Sequence, residues 1–235
     1  MAQLLEFAAM LAAAALVQPA PGELPTGSRL SHRPLLGSKL SARDQALGAK
    51  QMSDCLYDQN VKLARAALLA SNKADSDNAI KQLSGRIMCT RLSMSNDLVE
   101  VRAVKFSNEV LRGMLAERAL EKAGPQLAAL APLPLQTIYQ RPWFAVTGRH
   151  LTVDEMGACI ADTNPAGIYA LTRTLPTSSE EGAAFAALGD NLSKCLRAGT
   201  KLQANRQSLR AALADALFQR LYVPAPAPST EAAKR

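Results

Sequence analysis

The sequence predicts an all-α protein made by tandem duplication of one unit, a disulfide-stapled helical hairpin followed by a closing helix. Three observations carry this. The word Cys55-Leu56-Tyr57-Asp58-Gln59-Asn60 returns as Cys159-Ile160-Ala161-Asp162-Thr163-Asn164. A second cysteine follows 34 residues later as Cys89 and 36 residues later as Cys195. Each unit then closes on the pattern L-R-small-x-L-A-acid, as Leu111-Arg112-Gly113-Met114-Leu115-Ala116-Glu117 and Leu209-Arg210-Ala211-Ala212-Leu213-Ala214-Asp215. Three anchors recurring in the same order mark an internal repeat.

Length and composition agree with a folded chain. The 235 residues are 48% hydrophobic and 20% charged, enough to bury a core and too polar for a polytopic membrane protein. The N-terminal 1–20 read as a signal peptide: Phe7 to Val17 is an apolar run too short to span a bilayer, Ala13 and Ala15 offer a small-x-small cleavage site, and Gln18-Pro19-Ala20-Pro21-Gly22 follows. The first 28 residues hold no Lys or Arg, and Glu6 sits in the n-region, against the usual pattern. Four cysteines without a C-x-x-C fit an oxidising compartment, so the predicted location is periplasmic or secreted, with no transmembrane span in the mature chain. Residues 21–40 read as a linker, 41–123 as the first unit, 124–150 as a proline-rich connection, 151–222 as the second unit and 223–235 as a disordered tail.

Within the units the helix signals recur. Thr152 with Glu155 reads as a capping box, Asn164-Pro165 as a cap and first helical residue, and Ser178 with Glu181 as a second capping box. Phe185, Leu188, Leu192 and Leu196 recur at helical spacing and match Ile80, Leu83 and Ile87 of the first unit. The closing helices carry Leu111, Met114 and Leu115 in one, and Leu209, Leu213, Ala216 and Leu217 in the other. The one strand candidate is Gln136-Thr137-Ile138-Tyr139, in the connection.

Cysteine placement favours pairing within units. The midpoint of Cys159 and Cys195 falls in Leu175-Pro176-Thr177-Ser178, and that of Cys55 and Cys89 in Ser71-Asn72-Lys73, both turn-like; a hairpin reversing there brings each pair level. On a continued helical wheel Cys89 lies opposite Ile80, which leaves open a neighbour outside its own hairpin.

The C-[LI]-x-D-x-N start, the second cysteine about 35 residues on and the L-R-x-x-L-A-[DE] closing helix together resemble a group of uncharacterised exported bacterial proteins that carry one or two such units. The resemblance covers roughly residues 55–120 and 159–222. It implies a helical fold and an envelope or secreted location, and carries no activity with it. The first unit departs from the second by lacking a turn proline and by placing its Leu-Arg pair 22 rather than 14 residues after its second cysteine.

Chemistry-bearing signatures are sparse. No G-x-S-x-G, S-x-x-K, H-E-x-x-H or glycine-rich phosphate loop occurs, and His32 and His150 lie in linker-like segments, so no catalytic residue, metal ligand or cofactor is assigned. Asp58 with Asn60 and Asp162 with Asn164 admit cation ligation, but helix capping explains Asn164 better. Tyr139, Trp143 and Phe144 fit packing at the junction of the units better than an exposed binding patch. Lys194, Arg197, Lys201, Arg206 and Arg210 fall in a 17-residue stretch without an acid, in a chain of net charge +7. They are candidate anion-binding residues, with anionic envelope lipid or polymer as the partner class and no nucleic-acid motif beside them. The predicted function is a non-enzymatic exported helical module that binds or scaffolds in the cell envelope, the alternative being a hydrolase-like envelope enzyme with an unrecognised site.

Overall fold

A computed structural model of the protein describes residues 41–85, 89, 91–94, 97–100, 107–128, 130–197, 199–200 and 205–223. The expected signal peptide, the linker and all but the first residue of the expected tail lie outside them, as does Lys201. Helix α1 (Ala42–Gln59) starts at Ser41, whose hydroxyl accepts the Asp44 N–H at 3.1 Å. It ends at Asn60, with φ −140° and ψ 49°, and α2 (Val61–Leu68) follows. Helix α7 (Leu151–Thr163) ends in the same way at Asn164, with φ −144° and ψ 64°, before α8 (Pro165–Thr172). There Asn164 Oδ1 accepts the Gly167 N–H at 2.9 Å, and Pro165 occupies a first-turn position where a missing N–H costs nothing. The repeated Asn thus breaks each outgoing arm of the hairpin at the same place.

The return arms also correspond. Helix α3 (Lys73–Ser84) is capped by Asn72, and α9 (Ser179–Ala187) by Ser178, whose Oγ accepts the Glu181 N–H at 3.1 Å. Glu181 Oε2 in turn accepts the Thr177 N–H at 2.8 Å. The stripe expected to form one helix from Phe185 to Leu196 is interrupted at Leu188, where α10 (Gly189–Cys195) takes over. Cys55 is bonded to Cys89 and Cys159 to Cys195, with 5.6 Å between Cα atoms in both. Cys89 meets its own hairpin because α3 stops at Ser84, so a helical wheel does not extend to it.

An antiparallel ribbon separates Cys89 from the closing helix of the first unit. Strand β1 (Arg91–Met94) pairs with β2 (Asp97–Glu100), Arg91 opposite Glu100 and Met94 opposite Asp97. It occupies the stretch in which the first unit is eight residues longer than the second. The segment Gln136–Tyr139 is not a strand: Tyr139 turns its hydroxyl back to accept the Gln136 N–H at 3.1 Å. The connection also holds α5 (Pro125–Ala128) and α6 (Phe144–Thr147), and Gly148, at φ +75°, ends α6. Tyr139 and Trp143 are buried, Trp143 packed edge-on against Phe144. The N-cap of α7 is His150 rather than Thr152: its Nδ1 accepts the Thr152 N–H at 3.3 Å.

The closing helices α4 (Asn108–Ala123) and α11 (Arg206–Tyr222) form the centre. They pack directly on each other, and α11 also lies against α7 and α8. Every position from Leu209 to Gln219 is buried, so α11 is enclosed on all sides instead of presenting a polar face to water. Close approach requires a residue without a Cβ: one built on Gly113 would lie 2.2 Å from the Ala211 carbonyl oxygen. Among the described residues no helix is long and apolar enough to cross a membrane.

Three glycines grade this packing. Gly113→Ala forces α4 and α11 apart at backbone atoms and should cost about 3 kcal/mol or more. Gly157→Ala places a methyl 3.2 Å from Ala216 Cβ and should fall within about 1 kcal/mol of wild type, because helix propensity offsets the crowding. Gly182→Ala meets nothing within 4 Å and should stabilise by up to about 1 kcal/mol. Urea unfolding of the three variants checks the order, and equal effects of Gly113→Ala and Gly182→Ala would contradict it.

Candidate functional site

The repeated L-R-x-x-L-A-acid words meet each other. Arg112 Nε donates to Asp215 Oδ2 at 2.8 Å, so the first unit's arginine takes the second unit's acid. Reciprocally, Arg210 Nε and Nη2 grip both carboxylate oxygens of Glu117 at 2.8 Å each. Residue 112 faces 215 and residue 117 faces 210, which sets an antiparallel register. Each arginine also closes a helix end of its own unit. Arg112 donates to the Ala67 and Leu68 carbonyls at the end of α2, at 2.5 and 2.7 Å. Arg210 donates to the Thr172 carbonyl ending α8 and to the Thr174 carbonyl beyond it, at 3.3 and 2.7 Å. Leu68 and Thr172 occupy matching positions, eight residues after Asn60 and Asn164. Guanidinium groups suit this double duty, with several donors in a fixed plane and favourable charge at helix C-termini.

Further groups complete the network. Glu181 accepts from Arg210 at 3.0 Å, and Arg149 bridges Asp154 and Asp215 at 2.8 and 2.6 Å. Thr147 donates its hydroxyl to Asp154, and Gln219 donates to the Leu68 carbonyl and Asp215. Arg149 Nη1 is buried with no hydrogen-bond partner among the described residues. Lys50, five residues before Cys55 as Asp154 is before Cys159, reaches Glu121, Asp54 and Glu117 at 2.7, 3.1 and 3.4 Å. Burial alone would raise the Asp215 carboxyl, but Arg112 and Arg149 overcome it and hold the group below the usual carboxylate range. At Asp154 burial prevails over Arg149 and the carboxyl is raised. Burial likewise raises Asp162, against Arg141 and Arg220.

The basic run predicted to bind anions does not form one surface. Arg210 is 3% exposed and saturated by Glu117, Glu181 and carbonyl groups, which removes it from any surface role. Its placement on a solvated helix face is corrected by the fold: acids absent from the local sequence arrive from α4 and α9. Arg197 is exposed but paired with Glu155 at 2.7 Å. Lys194 on α10 and Arg206 at the start of α11 are exposed. The acids Asp58 and Asp162 are also ion-paired, Asp58 with Arg118 and Lys122, Asp162 with Arg141 and Arg220. Lys122 and Arg220 are equivalent in the repeat, which explains why the acid recurs. Among the described residues no group of three His, Cys, Asp or Glu could hold a metal ion. The reciprocal pairing was missed from sequence because no spacing within one unit reveals a partner about a hundred residues away. The signal lay in the motif itself, which carries both charges in both copies.

Two clefts flank α11. One is a crevice of about 20 Å³ between Ala46, Lys50, Met114, Glu117 and Gln207. The other, of about 110 Å³, lies in the second unit under the central connection. Comparison of this chain with protein-family models, with curated proteins and with solved structures gave no match.

The opposite displacements of these carboxyls set a pH dependence. Asp215, with its folded value lowered, contributes stability that is full above about pH 4 and is lost as pH falls through that lower value. Asp154 and Asp162, with folded values raised, bind protons more readily when folded, so their contribution grows as pH falls toward about 4. The melting temperature should therefore hold or rise from pH 7 to about 4.5 and drop below about pH 3.5. Asp215→Asn, which leaves Arg112 and Arg149 facing an uncharged amide, should cost about 3–5 kcal/mol at pH 7 and flatten the acid limb. A melting temperature that declines steadily from pH 7 downward, unchanged in shape by Asp215→Asn, would contradict the assignment.

Proposed function

We propose that this chain is a non-enzymatic exported helical module that binds or scaffolds in the cell envelope. One observation carries the reading: the buried acids Glu117, Asp154, Asp162, Glu181 and Asp215 are each engaged by an arginine. Carboxylates committed in this way join two units and close helix ends; they are poorly suited to move protons during a reaction. The two disulfides support export, since thiols in a reducing cytosol rarely stay paired. A loop of this length closed by a disulfide contributes about 4 kcal/mol in the chain-entropy account. That durability suits a protein working outside the cell, without ATP-dependent repair.

Anionic envelope lipid or polymer is the partner class this reading names. Its basis is the net charge of +7 together with the exposed Lys194 and Arg206, with Arg210 excluded. Nucleic acid is disfavoured, because no base-reading motif accompanies the charge.

The test uses the native protein from fractionated cells. Export predicts recovery in the envelope or medium, an N-terminus between about residues 14 and 24, and four cysteines that resist maleimide until reduced. Cosedimentation with anionic vesicles should weaken with salt and fall in Lys194→Glu plus Arg206→Glu. An intact Met1 in the cytoplasm with alkylatable thiols would overturn the export reading.

A further inference from the structure

The internal duplication provides a control for one cleft. In the first unit, the face shared by α1 and α4 is filled by long side chains: Tyr57 is buried, Asp54 is paired with Lys50 at 3.1 Å, and Arg118 reaches Asp58 and Glu121 at 2.6 Å each. The equivalent positions on α7 and α11 are Ala161 for Tyr57, Ala158 for Asp54 and Ala216 for Arg118. All three carry only a methyl group, while the acid at Asp58 and the cation at Lys122 recur as Asp162 and Arg220. At those positions lies a cleft of about 110 Å³, and the central connection roofs it with Leu133, Arg141 and Trp143. That volume is below the roughly 300–1,000 Å³ of drug-sized sites and close to the roughly 150 Å³ of an apolar cavity that holds benzene, so it suits a body of one ring or a short acyl chain.

The chemistry of the walls is specific. Ala158, Ala161 and Ala216 make a smooth apolar floor, each at most 3% exposed, and Trp143 adds an aromatic wall. Two guanidinium groups and one carboxylate leave the lining with a net charge of one positive. Arg220 makes three hydrogen bonds, to the Ala131, Ala161 and Asp162 carbonyls, tying the connection to the end of α7. Arg141 lies over the Tyr139 ring at 5.6 Å and gives one N–H to Asp162 at 2.9 Å and one to the Gln140 carbonyl at 3.0 Å. A guanidinium carries five N–H donors, so Arg141 keeps donors for a further acceptor at the cleft edge.

We propose that this cleft binds a small monoanion with an apolar body, its carboxylate or equivalent head on Arg141 and its body on the alanine floor against Trp143. The inference goes beyond the scaffolding reading and stands or falls separately from it. A module that captures such molecules needs no catalytic group, only shape, a guanidinium with N–H donors to spare beyond its carboxylate partner, and an apolar floor.

Trp143 is the only tryptophan in the chain, so its emission reports on the cleft alone. The oxidised full chain is titrated with benzoate, hexanoate, benzamide and inorganic phosphate. Benzoate or hexanoate should change the emission saturably at concentrations up to about 10 mM, and whichever binds tighter tells an aryl from an acyl body. Benzamide should bind about tenfold more weakly, because the charge-assisted hydrogen bond is lost, and phosphate should leave the emission unchanged. Arg141→Gln should weaken binding about tenfold, and Ala158→Leu, which refills the floor, should abolish it; circular dichroism confirms that each variant is folded. If Ala158→Leu does not fold, Arg141→Gln decides alone. Absence of a saturable response to both carboxylates, equal affinity for benzoate and benzamide, a saturable response to phosphate, or wild-type affinity in Arg141→Gln would overturn the proposal.

Discussion

The structure depends on burying opposite charges between α4 and α11. Two arginines and two acids enter a water-excluded interface, each arginine answered by the acid of the other repeat. Removing ions of this size from water costs several kcal/mol each, and ion pairing with hydrogen bonds about offsets that cost. Their effect is therefore on which arrangement forms. Parallel packing, or a register shifted by a turn, would break both cross-repeat pairs and leave Arg112 without a carboxylate. Gly113 adds a steric condition, since the helices touch where Ala211 meets a residue with no side chain. Charge and close contact together select one docking of the first unit on the second.

Everything else follows from that docking. Because Arg112 and Arg210 reach past the interface to the ends of α2 and α8, each pair also fixes the Asn-broken arm of its own hairpin. The disulfide then ties the far side of each hairpin, so the arms are constrained from two directions. Lys50 and Asp154, matched in the repeat but opposite in charge, show how the copies have diverged. The first approaches Glu117 directly, and the second uses Arg149 as an intermediary to Asp215. The three alanines of the second unit are the same kind of divergence, with a cleft as its result.

The sequence was most legible where information is local. Asn164-Pro165 and the Ser178/Glu181 box mark helix starts because cap and helix are neighbours, and the cysteine pairing could be read from the turn midpoints. The helix starts two residues earlier than the Thr152/Glu155 box indicates, because the His150 ring nitrogen accepts the Thr152 N–H. The ribbon went unread because four-residue strands offer too little alternation to stand out. Arg210 was the most informative error. In a run of basic residues without local acids it looked solvated, yet its partners Glu117 and Glu181 lie 93 and 29 residues away in the chain. A polar helix face repeated with both charges can indicate an interface with its own duplicate.

The central claim is that the reciprocal pairs couple the two units. A double-mutant cycle on Arg112→Met and Asp215→Asn, measured by urea unfolding with circular dichroism, tests it most directly. The account predicts a single cooperative transition in all four proteins and a coupling energy of about 2–3 kcal/mol, because loss of either partner already removes the interaction. Additive effects, within about 0.5 kcal/mol, would mean that these two charges do not act on each other and would contradict the claim that reciprocal pairing couples the units.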